Sequence, residues 1–331
     1  MKIVVGLMTG SNNTERTVLR AFYQGLKKFY FNRYQVNNLA DLNQKHNIEI
    51  LLSYDLDYPA CNIGVQFGTV KDRKAEHHAA KQNLQKSAEM IVFIETPILG
   101  RVIDNKNNYS QYRIGVDGFL NNQGLFYSEK NLQSSRLDFL LEHRLIKPFP
   151  GWKDHQKGNI LILSQLLGDS SLRGQKISEW LLDSIDTIRS VTNRAITVRL
   201  HPSMSQQARA ELCSELGIIL LKNYQNIHWS SGIETTLQQD LSRAGICVTY
   251  SSGSAVDAIL AGVPVIALDE GNFAYDISSI DLDDIDAPRL ASNSEINHWL
   301  MQLANSQWSK KEMFSGEVWS SIESLLKEKV Q

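Results

Sequence analysis

The chain has 331 residues, 42% of them hydrophobic and 21% charged, with a formal net charge of −2. That length exceeds what one hydrophobic core commonly fills, so two domains are expected. The composition is that of an ordinary globular protein, and no run approaches the ~18 apolar residues of a membrane span. Three widely spaced cysteines, Cys61, Cys213 and Cys247, argue against a disulfide or zinc framework and read as buried thiols in a reducing compartment. The opening Ile3–Leu7 run is too short for the core of a signal peptide, so a cytoplasmic location is expected.

Charge is unevenly spread. Residues 1–150 carry 19 Lys/Arg against 14 Asp/Glu, a net of +5, and residues 151–331 carry 15 against 22, a net of −7. A basic first half suits an anionic partner, DNA or an acidic glycan, although +5 over 150 residues also falls within ordinary scatter.

In chain order, Lys2–Leu7 is an apolar run without helical period, which suits a strand buried on both faces. Glu15–Phe29 then has helical spacing through Val18, Leu19, Phe22 and Leu26. Strands are predicted at Ile48–Ser53, Cys61–Gln66 and Met90–Ile94, with a helix over Lys74–Ser87. The segment Lys147–Gly158, with two prolines and two glycines, breaks the pattern and marks a boundary between domains 1–150 and 151–331. Beyond it the spacing predicts a strand Asn159–Ser164, a loop Gln165–Gly174, a helix Lys176–Ser190 and a strand Ala195–Leu200. Next come a helix Gln206–Leu216, a strand Ile218–Leu221, a helix Ile233–Ala244 and a strand Ile246–Tyr250. The last unit is a helix Ser254–Ala261, a strand Val263–Leu268 and helices from Glu295 and Gly316, the last of which is free to cross back to the first domain. Strands alternating with helices imply α/β architecture: two Rossmann-like, doubly wound domains whose strand carboxyl ends face a cleft.

Thr249–Ile266 carries the strongest chemical signal. A buried strand ends in Ser251-Ser252-Gly253 and gives way to a helix, so unpaired N–H groups, hydroxyls and a small residue gather where an anion could sit. A capping serine at Ser252 or Ser254 is the plainer alternative. Arg199-Leu200-His201-Pro202-Ser203 ends an earlier strand, and an imidazole at His201 can donate to a phosphoryl oxygen. Arg199 also reads as a structural ion-pair partner. In the loop after the first strand of this half, Ser170 and Ser171 could meet phosphate and Arg173 a leaving diphosphate, with an ordinary connection capped by Asp169 or Ser170 as the alternative. Asp269 and Glu270 end a strand and could hold ribose or sugar hydroxyls. Tyr224–Ile227 could flank a base.

A His-Pro after one strand and a Ser-Ser after a later one resembles the bacterial capsule Kdo transferases and the sialyltransferases, over residues 159–270. That resemblance implies a GT-B glycosyltransferase in which His201, Pro202, Ser251 and Ser252 bind the phosphate of a CMP-sugar. No Asp/Glu-Asp/Glu-Gly motif of those families occurs in the first half. The whole chain also resembles glycosyltransferase-like proteins of tailed phages, through Phe67–Arg73, His77-His78, Glu95–Arg101, Tyr112–Gly115 and Gly316–Trp319. This likeness implies a hydroxymethylated pyrimidine in phage DNA as acceptor, DNA modification, and the host cytoplasm as location. A capsule or surface-glycan transferase, a sugar-nucleotide 2-epimerase and a non-catalytic nucleotide-binding module are the alternatives.

An inverting transferase needs a general base, expected in the first half. Glu95, at the end of an apolar strand, leads; Asp72 and His78 follow, and an ion pair with Arg101 is the competing role for Glu95. Lys71, Arg73 and Arg101 are candidate acceptor contacts. The nucleotide-sugar (CMP-, UDP-, GDP- or dTDP-linked) is a co-substrate, and no cofactor is expected. The DxD pattern Asp55-Leu56-Asp57 lies in a polar loop and is short enough to arise by chance, so a metal-independent reaction is expected. Arg20–Tyr34 mixes bases with aromatics, which suits either nucleic-acid contact or an amphipathic helix.

Overall fold

The computed structural model describes residues 1–7, 13–54, 57–69, 76–103 and 108–330, without the side chains of 76–77, 218–223 and 327–330. The first elements are β1 (Lys2–Gly6), α1 (Asn13–Tyr34), α2 (Leu39–His46), β2 (Glu49–Ser53), β3 (Cys61–Phe67), α3 (Glu76–Ser87), β4 (Ala88–Glu95), β5 (Tyr112–Val116) and α4 (Ser134–Glu142). The middle of the chain gives β6 (Asn159–Leu163), α5 (Ile177–Val191), β7 (Ile196–Arg199), α6 (Gln206–Asn223), β8 (Ile227–Ser230), α7 (Leu237–Arg243), β9 (Ala244–Thr249), α8 (Ser254–Leu260), β10 (Val265–Ala267) and α9 (Asn293–Asn305). It closes with β11 (Gln307–Trp308), α10 (Lys310–Ser315) and α11 (Glu317–Val330). Two compact units result. One comprises Met1–Phe119, Gln123–Ile146 and Leu300–Gln331; the other comprises Leu120–Asn122 and Lys147–Trp299.

The first unit is a six-stranded sheet in the order β11-β5-β4-β3-β1-β2. Strands β1 to β4 run parallel, while β5 pairs antiparallel with β4, and β11 with β5. Within it, 2-1-3-4-5 is the flavodoxin-type order. Because strand side chains alternate, Ile3, Val5 and Leu7 point to one face and Val4 to the other. On the first face they meet Phe22, Leu26, Met313 and Trp319 from α1, α10 and α11, and on the second Val4 meets Ala80 and Leu84 of α3. Each such large side chain, once buried, contributes roughly 1.5–3 kcal/mol. Helices α1 and α10 approach closely at Gly25, where an added Cβ would fall 1.8 Å from the Met313 carbonyl oxygen.

The second unit is a five-stranded, wholly parallel sheet in the order β10-β9-β6-β7-β8. Numbered within the unit this is 3-2-1-4-5, the order of dinucleotide-binding sheets. Helices α5 and α6 cover the face shown by Ile160, Ile162, Val198, Ile246 and Val248. Helices α7 and α8 pack against β6, β9 and β10. Both units are therefore Rossmann-like α/β layers. No described helix is long and apolar enough to cross a membrane.

The strand expected at Ile218–Leu221 does not form, because α6 continues through to Asn223. An apolar run such as Gly-Ile-Ile-Leu-Leu has no period to separate strand from helix, and here it extends a helix already begun at Gln206. The sheet position is taken by β8, further along the chain. The helix expected from Ile233 starts only after Thr236, whose side chain accepts from the Gln239 N–H while the Gln239 side chain accepts from the Thr236 N–H. That reciprocal cap fixes the start. Short elements, α2, β5, α10 and the two-residue β11, are additions to the expected set.

Candidate functional site

In the second unit, the strand order reverses direction between β6 and β9, so their following loops leave on opposite sides and open a crevice at the carboxyl ends. Gln165 of the β6 loop spans it. Its Oε1 accepts the Ser251 N–H at 3.0 Å, and its Nε2 donates to the hydroxyls of Ser171 at 2.8 Å and Ser251 at 3.0 Å. The Ser251 hydroxyl donates to the Ser171 carbonyl at 2.7 Å, and Ser171 is bonded through N–H and hydroxyl to Asp169 Oδ1. Asp169 thereby caps a 3-10 turn at Ser170–Leu172. Ser251 is thus buried and committed to joining the two loops, whereas Ser252, Gly253 and Ser254 remain partly exposed. The Ser252 N–H donates to Thr249 Oγ1 at 3.3 Å, and its hydroxyl accepts the Ser254 N–H at 3.3 Å, a weak capping contact at the start of α8.

Arg173 closes the turn in the left-handed region, at φ 49°, a conformation few side chains adopt without support. That support is Asp269, which the guanidinium bonds directly, with Glu270 at 3.6 Å. The Asp269 bond is the main cause that raises the Arg173 pKa above its ordinary value. Asp269 also accepts the Gly271 N–H at 2.8 Å. The neighbouring Tyr250 phenol is pushed up, first by burial and then by the Asp269 charge. One cation thus faces two carboxylates here, and Glu270 is the exposed one.

His201 and Pro202 leave β7, which lies on the other side of β6 from β9. The His201 Nδ1 accepts the Ser203 N–H at 3.1 Å, so a neutral ring carries its proton on Nε2. The turn is pinned by Arg209 of α6, which donates to the carbonyls of His201 at 2.6 Å, Pro202 at 2.8 Å and Met204 at 2.9 Å, and also to that of Ser231. Neither Gln165 nor Arg209 stands out in the sequence; the first signal for Gln165 is its position directly after the strand-ending Ser164. Arg199, by contrast, is structural: it is buried in an ion pair with Asp240, which also accepts the Ser230 hydroxyl at 2.6 Å. Tyr224 hydrogen-bonds Asp186.

In the first unit, Glu95 ends β4 directly opposite Arg113 of β5. Burial lowers the Arg113 guanidinium to about 10, and the Glu95 charge opposes that shift while Arg101 adds to it. The cross-strand neighbour of Glu95 is therefore a guanidinium, where the sequence suggested apolar flanks. Arg101 itself donates to the Pro97 carbonyl at 3.2 Å. Gly68, at φ 70°, lets two further groups approach: an added Cβ there would lie 3.0 Å from Lys81 Nζ and 4.0 Å from Glu95 Oε1. His78 and Lys81 are both buried on α3. Lys71, Asp72, Arg73, Asp55 and Leu56 lie outside the described residues, as does the side chain of His77.

The basic-aromatic segment is α1. Phe22, Leu26 and Tyr30 are buried, and the outer rings carry cations: Lys27 lies 5.5 Å from the Tyr23 centroid, Arg33 5.6 Å from that of Phe29. Lys28 lies 3.3 Å from the Phe314 centroid. The amphipathic-helix reading accounts for these residues.

No known family profile matches the chain, and no curated protein sequence matches it. Among solved structures it is similar to a Thermosulfurimonas dismutans KpsC described as a beta Kdo 2,4 transferase, at 14% identity over 91% of this chain and 89% of that one, TM-score 0.49. A second KpsC structure from that organism, described as a beta Kdo 2,7 transferase, matches at 14% identity over 97% and 100%, TM-score 0.48. A UDP-GlcNAc 2-epimerase from Neisseria meningitidis bound to UDP-GlcNAc matches at 12% identity over 99% and 100%, TM-score 0.31. With identities and scores this low, the chemistry of the chain rests on its own residues.

Proposed function

We propose that the chain is a glycosyltransferase whose second unit binds a nucleotide-sugar donor in the crevice between β6 and β9. The observation that carries this reading is the Gln165 bridge to Ser251 and Ser171, which preorganises the two loops where parallel sheets of this order take phosphates. Ser252, Gly253 and Ser170 sit beside that bridge as phosphate contacts. His201, with its proton on Nε2, donates to a phosphoryl oxygen from the Pro202 turn. Arg173 exchanges part of its carboxylate contact for the leaving diphosphate, and Asp269 or Glu270 then accepts from ribose or sugar hydroxyls.

In the reaction an acceptor hydroxyl oxygen attacks the anomeric carbon, the anomeric carbon–oxygen bond to phosphate breaks, and its electron pair stays on the phosphate. The proton passes to a base in the first unit. Glu95 leads for that role, ahead of Asp72 and His78, with Lys71, Arg73 and Arg101 as acceptor contacts. The acceptor is a hydroxyl of a saccharide or of a hydroxymethylated pyrimidine in DNA, and transfer assays with both decide between them.

A thermal-melting panel of CMP, UDP, GDP and dTDP tests the donor site directly. A nucleotide at a hundred times its Kd stabilises the folded protein by about 2.7 kcal/mol. For a unit of this size that corresponds to roughly 5–10 °C. One nucleotide is expected to raise the melting temperature, and a panel without any rise overturns the assignment.

A further inference from the structure

The first unit holds a cavity of about 890 Å³ that the donor reading does not use. Its size falls within the ~300–1,000 Å³ of small-molecule sites. We propose that this cavity binds a neutral oligosaccharide. All the described residues that line it belong to the first unit, and none of them is a donor-site residue.

The charge balance selects the ligand class. Among the described residues, three that line the cavity are charged: Arg136, Glu312 and Glu317. Arg136 is already consumed. It bonds Glu312 at 2.6 Å and the Gln307 carbonyl at 2.7 Å, and its guanidinium lies 3.6 Å from the Trp308 ring centroid. The other Glu312 oxygen accepts the N–H and hydroxyl of Ser309, both at 2.7 Å, closing the cap of α10. Glu317 accepts the Ser315 hydroxyl at 2.9 Å and leaves the lining with a net negative charge. Among the described lining residues, a phosphate chain or an acidic sugar meets no unspent cation, and the net charge disfavours it.

What remains is neutral hydrogen-bonding capacity beside aromatic surface. Among the described residues, the structure records no protein partner for the Gln133 carboxamide, the hydroxyls of Ser135 and Ser321, or the Trp308 indole N–H. Phe139 lines the same wall and is 41% exposed. Sugars present this combination in mirror image, with hydroxyls around the ring edge and C–H groups on its faces. Amphipathic aromatics and neutral amides match both at once.

The wall is also held in place before any ligand arrives. The Asn305 carboxamide accepts the Gln133 N–H at 3.0 Å and donates to the Gln133 carbonyl at 3.1 Å and the Met301 carbonyl at 2.8 Å. The backbone of that wall is thus fixed before a ligand binds, which favours affinity.

The test uses the full chain on an array of neutral oligosaccharides, with sialylated and sulfated oligosaccharides and single-stranded and duplex DNA as the contrasting probes. Ser135→Trp and Ser321→Trp, on two different walls, fill the cavity from exposed or half-buried positions. Retention of at least one neutral oligosaccharide, weakened tenfold or more in both variants at unchanged melting temperature, supports the proposal. If one variant melts early, the other decides. Retention of no neutral probe, retention of acidic or DNA probes alone, or neutral binding that neither filled variant weakens overturns it. A negative result leaves the nucleotide-induced melting shift untouched, so the two readings fail separately.

Discussion

The Gln165 carboxamide holds the backbone N–H of Ser251 at 3.0 Å, joining loops that are 86 residues apart in the chain. Both residues are buried, so the bond is made without water in competition. Truncation at Gln165→Ala strands that N–H, while the Ser251 and Ser171 hydroxyls keep their bonds to the Ser171 carbonyl and to Asp169. A buried group left unpaired costs about 1–3 kcal/mol. The expected outcome is a loss of that size in denaturant unfolding, together with a tenfold or greater loss of affinity for the nucleotide that the melting panel selects. Calorimetric titration reads the second quantity. Unchanged nucleotide affinity in a destabilised Gln165→Ala protein means the bridge is only a structural tie, and the donor lies elsewhere.

Arg199 and His201 are two residues apart yet sit in different chemical settings. The Arg199–Asp240 pair is buried, with side chains 7% and 5% exposed, and Asp240 also accepts from Ser230. Removing one partner of such a pair leaves a charge without compensation and costs roughly 3–5 kcal/mol. Asp240→Ala is therefore expected to shift the unfolding midpoint strongly downward, while the folded fraction keeps its nucleotide affinity. His201→Ala is expected to show the reverse pattern, with little change in stability and weakened binding. Equal unfolding midpoints for Asp240→Ala and the native chain contradict the structural role.

Strands read from apolar runs, such as Lys2–Leu7 and Asn159–Ser164, correspond to β1 and β6 within a residue or two, because a strand buried on both faces must be apolar throughout. The small and hydroxyl residues after β9 were legible for a similar reason: a loop between strand and helix is short, and its chemistry is written consecutively. What the sequence conceals is pairing at a distance. Arg113 lies opposite Glu95 only because β5 turns back antiparallel on β4, and no local period announces that reversal. Arg209 belongs to an ordinary-looking helix, and its role appears only when α6 packs beside the His-Pro turn. The cavity around Trp308 draws its walls from segments more than 150 residues apart. The Ile218–Leu221 run shows the opposite limit, where local composition is clear but does not distinguish helix from strand.

Acid stability has a defined contributor at the start of α9. Glu295 accepts the Ser292 N–H at 2.7 Å and bonds Arg289 at 2.9 Å, while its own N–H donates to the Ser292 hydroxyl. Bonds from Ser292 first, and then Arg289, hold its carboxyl at about 2. In the unfolded chain the same group protonates at ~4.3. The folded state therefore binds this proton less readily, and the contribution is present above ~4.3 and disappears as pH falls toward 2. Glu295→Gln removes the titration. Melting temperatures measured from pH 5 to pH 2 are expected to fall less steeply in the variant over that window. Parallel curves for the two proteins assign the acid sensitivity to other carboxylates.

Glu95 has two competing roles, and its setting makes them separable. As a general base it contributes ~10²–10⁴ to the rate. As the charge facing Arg113 it compensates a buried guanidinium that burial already lowers to about 10. Glu95→Gln keeps the size and hydrogen-bonding shape of the side chain and removes only the charge. If Glu95 is the base, turnover is expected to fall by roughly a hundredfold or more, with the nucleotide-induced melting shift retained because the donor residues are unaltered. If it serves Arg113 alone, the melting temperature falls while turnover per folded molecule is kept. Arg113→Met in the same background sharpens the distinction: with the cation gone, the neutral carboxamide of Glu95→Gln no longer leaves a charge uncompensated, so lost stability should return while lost catalysis should not. Measuring turnover and melting on the single and double variants thus separates a proton acceptor from a counter-charge in one experiment.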